Sequence, residues 1–135
     1  MIVLDEQLLG RNLDSEIAKW YPGTVRFITD LRPNTVIKDH AIPELLRQQN
    51  QPTFVTINTT DFWRKVAIDR QFCVMCFMLS DSRAPEIPET LRCLLHHPEF
   101  HTKAKRMGRV IRVTDREIRY YTFKKSTVRK IAFKT

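Results

Sequence analysis

The sequence predicts an α/β domain built on a central, mostly parallel sheet. Three observations carry that prediction. Through the first hundred residues, short apolar runs alternate with amphipathic stretches, the order that strand–helix units produce. The longest run, Phe72 to Leu79, is apolar almost throughout, as expected of a strand covered by helices on both faces. The length, 135 residues, suits one domain that buries roughly two-thirds of its unfolded surface.

The elements follow in order. Ile2 to Asp5 reads as the first strand. Leu9, Leu13 and Ile17 recur every four residues, with Trp20 closing the apolar face of a helix that Pro22-Gly23 stops. Thr24 to Ile28 is the second strand, ending at Thr29-Asp30. Beyond the Pro33-Asn34 loop, Ile42, Leu45 and Leu46 line a second helix, with Asp39 at its start and Pro43 in its first turn. Thr53 to Ile57 is the third strand, and Phe62, Trp63 and Val66 mark a short helix after polar Asn58 to Asp61. Phe72 to Leu79 is the fourth strand and Ser80 to Pro85 a loop. Pro88 opens a helix bearing Leu91, Leu94 and Leu95, which Pro98 ends. Gly108 stops a short basic helix, and Val110–Val113 with Ile118–Phe123 form a hairpin turning near Asp115-Arg116. Residues 1–100 thus make the α/β domain, and residues 101–135 a basic extension packed on it.

Charge divides the chain at the same place. From Lys103 onward, twelve Lys and Arg stand against Asp115 and Glu117, a net of +10. Residues 1–102 hold the other 11 of 23 basic and 13 of 15 acidic residues, a net of −2. Such asymmetry points to a polyanion partner, or else to a solvated, solubilising face. Lys103, Lys105, Arg106, Arg109, Arg112, Arg116 and Arg119 are interleaved with Tyr120, Tyr121 and Phe123. Cations supply phosphate affinity and aromatics stack on unpaired bases; the same aromatics also suit the packed face of a hairpin.

The acids of the first half offer a second chemistry. Asp5 ends an apolar strand, and ligands of open α/β sheets collect at the carboxyl ends of strands. Asp39 and Asp61 fall where later elements reach the same edge, with Glu6 and Asp30 as additions. Converging carboxylates suit a hard divalent cation, Mg or Mn, of the kind that activates water in phosphodiester cleavage. Each acid also has a plain role: Asp39 and Asp61 as helix caps, Asp30 as a turn residue.

Other chemistries find less support. Cys73, Cys76, Cys93 and His96 have zinc-like spacing, but residues three apart in a strand face opposite sides, so the thiols read as buried packing. With only three glycines there is no phosphate-cradling loop, and no nucleophile elbow occurs. Nothing approaches the ~20 apolar residues of a membrane span, and no signal peptide is expected. Three cysteines, an odd number, fit a reducing, cytoplasmic setting.

Several segments together resemble a known family. Val3-Leu4-Asp5-Glu6-Gln7-Leu8 is similar to the "LLDENL" opening of small PIN-like proteins grouped with the Mut7-C-like domains. Phe27 to Leu31 resembles the family's second strand, and Asp39-His40-Ala41-Ile42 its acid-led helix start. Phe54-Val55-Thr56 with Asp61-Phe62 resembles its "TxDxDF" segment. The resemblance covers residues 1–80 and implies a three-layer PIN-like fold with a divalent-metal ribonuclease site. Asp5, Asp39 and Asp61 are then the metal ligands, one or two Mg or Mn ions the cofactor, and Glu6 a further catalytic acid. It also implies an RNA substrate and, in many members, a toxin paired with a small antitoxin protein. The oligomeric state stays open, a homodimer included. One acid of the motif is replaced by Asn58, a carbonyl ligand without charge. The alternatives are therefore a degenerate PIN-like protein that binds nucleic acid or regulates without cutting, and a protein-interaction module whose basic arm docks an acidic partner.

Overall fold

The computed structural model describes residues 1–57 and 61–133. Seven strands form a single sheet in the order β2-β1-β3-β4-β5-β6-β7. They are β1 (Ile2–Leu4), β2 (Val25–Phe27), β3 (Thr53–Ile57), β4 (Cys73–Phe77), β5 (Arg109–Val113), β6 (Glu117–Thr122) and β7 (Lys125–Ala132). The first five run parallel; β6 and β7 close the sheet antiparallel.

Alternation along each strand builds three layers. Ile2, Leu4, Val55, Ile57, Cys73, Met75, Phe77, Ile111 and Val113 share one core with Leu13 and Ile17 of α1 (Leu13–Ala18) and Ile87, Leu91 and Leu94 of α5 (Ile87–His96). Val3, Phe54, Val74, Cys76 and Val110 point the other way. They meet Ile28 of α2 (Ile28–Leu31), Ile42, Leu45 and Leu46 of α3 (Ile42–Arg47) and Phe62 of α4 (Phe62–Lys65). Each face is dry because side chains two apart in a strand share a side. Cys73 and Cys76 fall in different cores, on opposite faces, as their spacing requires.

Several sequence-based boundaries need correction, the expected Ser80–Pro85 loop among them, which is a 3-10 helix over Asp81–Glu86. Leu9 to Trp20 is not one helix: a 3-10 turn at Glu6–Leu8 and α1 are separated by Gly10 and Asn12, both with left-handed backbone (φ +75° and +60°). The second strand stops at Phe27, because Asp30 accepts the Phe27 N–H at 2.9 Å and starts α2. The fourth strand is Cys73–Phe77 rather than Phe72–Leu79. The C-terminal hairpin has a third strand, β7, exposed at all positions except half-buried Ile131. Moreover β5 is no outlying hairpin strand: it pairs parallel with β4, so the basic segment continues the central sheet. The remaining short helix, α6 (Lys103–Arg106), takes its N-cap from Thr102, which accepts the Lys105 N–H at 3.1 Å.

Candidate functional site

From β1 the sheet grows in both directions, to β2 on one side and β3 on the other. The crevice beyond the carboxyl ends of β1 and β3 is therefore the topological switch point, where open α/β sheets bind ligands. Asp5 sits there, its N–H donating to the Val55 carbonyl at 2.9 Å. Its Oδ1 accepts the Glu6 N–H at 2.7 Å, and its Oδ2 accepts the Thr56 hydroxyl at 2.5 Å. Thr56, fully buried at the end of β3, thereby fixes the carboxylate. Sequence reading did not single out Thr56. Its signal was alternation: Phe54 and Thr56 share a face, which is the face Asp5 takes after Val3.

Burial is the largest influence on the Asp5 carboxyl and pushes its pKa up. The bonds from Thr56 and Glu6 pull it down, while the charges of Asp39 and Glu6 raise it further. Asp39 is exposed and opens the 3-10 turn Asp39–Ala41, whose N-cap position is Lys38 rather than Asp39. Among the described residues, none of Asp5, Glu6, Asp30 and Asp39 enters an ion pair.

The other acids stand apart. Asp30 is engaged at the start of α2. Asp61 precedes α4 without capping it and pairs with Lys65 at 3.6 Å. Asn58 lies outside the described residues. Among the described residues, no three of His, Cys, Asp and Glu come together as a group that could hold a metal ion. Asp5 feels the negative charges of Asp39 and Glu6. That is not a closed cage. It matches an ion such as Mg, which keeps several waters and takes one or two carboxylates plus substrate phosphates.

No family model, no curated protein and no solved structure matches this chain.

The basic residues divide by edge and by face. Lys103 and Arg106 lie near the N-terminal amine, whose pKa is lowered first by burial and then by their charges. They belong to the amino edge, the far end of the strands from Asp5. Arg106 is buried and donates to the Phe100 carbonyl at 2.9 Å and the Thr53 hydroxyl at 3.3 Å, so it holds the fold rather than an outside phosphate. Lys105 reaches the Pro98 carbonyl at 2.8 Å. Arg109 faces the α1/α5 side, over the rings of Phe100 (5.6 Å) and Tyr120 (4.9 Å), and pairs with Glu99 at 3.4 Å. Arg112 and Arg119 lie opposite each other on β5 and β6. Both face the α3/α4 side, the side of Asp5, since their neighbours Ile111, Val113, Ile118 and Tyr120 belong to the other core.

Proposed function

We propose that this protein is a PIN-like ribonuclease that uses a divalent cation, Mg or Mn, at the Asp5 crevice. One observation carries the reading. Asp5 is a half-buried carboxyl at the switch point, repelled by Asp39 and Glu6, and it has no cationic partner among the described residues. Uncompensated carboxylates are costly to hold together in a fold, and an arriving cation relieves that cost. Perturbed acids in a cleft are also where catalytic groups concentrate.

Asp5 and Asp39 are the residues that would hold such an ion, and the ion would supply Lewis-acid polarisation of the phosphate and an activated water. The chain's own part is positional. Thr56 and the Glu6 N–H fix the Asp5 carboxylate, each oxygen of which keeps further lone-pair capacity. Asp39 adds negative charge near the Asp5 carboxyl from the first residue of its 3-10 turn.

The test is incubation of single-stranded RNA with Mn2+ or Mg2+, with and without chelator, beside Asp5→Asn. Cleavage that needs the ion and disappears in the variant is the expected result. Equal cleavage by both proteins, or none by either, removes the nuclease reading. A second reading, binding without cleavage, is favoured by the lack of a three-ligand group among the described residues.

A further inference from the structure

We propose that a single-stranded nucleic acid docks across the C-terminal sheet on the row Arg112–Arg119–Lys130, on the same face as Asp5. The inference rests on the ribonuclease reading for what the strand is, and goes beyond it in saying where the strand lies. Register makes the row. Thr56 pairs with Cys76, Cys76 with Arg112, Arg112 with Arg119, and Arg119 with Lys130. One transverse line thus runs from the residue that holds Asp5 to the edge strand, about 19 Å at roughly 4.8 Å per strand.

Cations directly opposite one another repel, and sheets ordinarily avoid them. Here three stand in succession, answered by the single carboxylate of Glu117, at 3.0 Å from Arg119 and 3.2 Å from Lys130. The row therefore keeps an excess of positive charge on an open surface, complementary to a polyphosphate. Its flank supplies the means to prefer unpaired bases. Trp63 of α4 lies under the guanidinium groups of Arg64 (5.5 Å) and Arg112 (5.6 Å), and Arg64 also covers Tyr121 (4.9 Å). Such guanidinium planes stack on free bases, which a duplex does not offer.

The opposite face provides a matched control. Arg129 and Lys125 sit across from Tyr120 and Thr122 beside a shallow cavity of about 300 Å³. They carry the same two charges on the other side of the same strand.

The experiment measures binding of a fluorescent uridine dodecamer by anisotropy, in chelator so that no cleavage intrudes, over a range of salt. Arg119→Gln with Lys130→Gln should weaken binding and reduce the log–log salt slope by about 1.4, at roughly 0.7 per lost phosphate contact. Lys125→Gln with Arg129→Gln should change the slope by much less. Arg64→Gln removes the guanidinium over Trp63 and Tyr121, along with its 3.2 Å bond to the Ser126 carbonyl of β7, and should weaken binding of single strands while the protein stays folded. An equal or larger loss in the control pair overturns the proposal. So does equal competition by a duplex of the same length, or better competition by polyglutamate, which would mark the surface as a dock for acidic protein. Asp5→Asn should bind like the parent, so a failure of the cleavage test leaves this result standing by itself.

Discussion

Asp5 couples folding to pH in a direction opposite to that of most carboxylates. Its folded pKa lies above the ordinary value because burial disfavours the charged form. The folded state therefore holds its proton more tightly than the unfolded chain. Its contribution to stability is present below the ordinary carboxylate pKa and is lost as pH rises through the raised one. Asp5→Asn removes that loss, so the variant should gain urea resistance over the parent as pH rises from about 4 toward 7. A difference that shrinks over that range counts against an uncompensated carboxyl. Saturating Mn2+ should close the gap from the other side: at a hundredfold excess over its Kd an ion stabilises by about 2.7 kcal/mol, and the parent should gain that in a thermal shift while Asp5→Asn does not. Arg106 makes the contrasting case. Arg106→Met leaves the Phe100 carbonyl unanswered and should cost about 1–3 kcal/mol in urea unfolding, with the RNA salt slope unchanged.

At the scale of elements, legibility followed burial. Thr53–Ile57 is a strand at both of its expected ends, because every residue of it is buried and the run is bounded by polar chain. The α5 helix likewise begins and ends beside its two prolines. β7 was invisible because Lys125 to Lys130 shows no apolar alternation; it is a strand only because β6 offers it a partner. For the same reason the Arg112–Arg119–Lys130 row could not be read from one dimension, since it exists only in register. The Asp5 edge was legible from a strand that ends in an acid, whereas the hold of Thr56 on it was not. Gly108 shows how local signals can be right for more than one reason. It ends the α6 segment with φ +81°, and it also donates to the Phe72 carbonyl and accepts from the Phe123 N–H. A Cβ there would come within 2.5 Å of the Phe123 ring. Gly108→Ala should therefore destabilise by about 1–3 kcal/mol, read as a lower denaturation midpoint with the Asp5 pH response retained.

Across the whole molecule, the division of charge seen in the sequence becomes a division of space. Asp5 lies at the β1/β3 crevice without an ion pair among the described residues, and the cations of β5 to β7 extend along the same sheet. Both are carried by one continuous set of strands, so residues 101–133 complete the sheet that residues 1–100 begin. Among the described residues, no helix is long and apolar enough to cross a membrane. The two halves should be separable in function. On the proposed ribonuclease reading, charge removal at Arg119 and Lys130 should raise KM for RNA with little change in kcat, while Asp5→Asn should abolish kcat and leave binding intact.

The exposed edge of β7 has one more consequence. Among the described residues no strand lies beside its outer backbone groups, an invitation for a second molecule to pair there, and Lys125, Arg129 and Lys130 keep such a neighbour away by repulsion. A polyanion lying along the sheet cancels that repulsion. On the proposed RNA-binding reading, loading the protein with RNA unlocks its own edge, so crowding on a long transcript should turn bound molecules into a ribbon. Light scattering that rises with RNA length, and falls again when Val128→Pro blunts the strand, is the signature to look for.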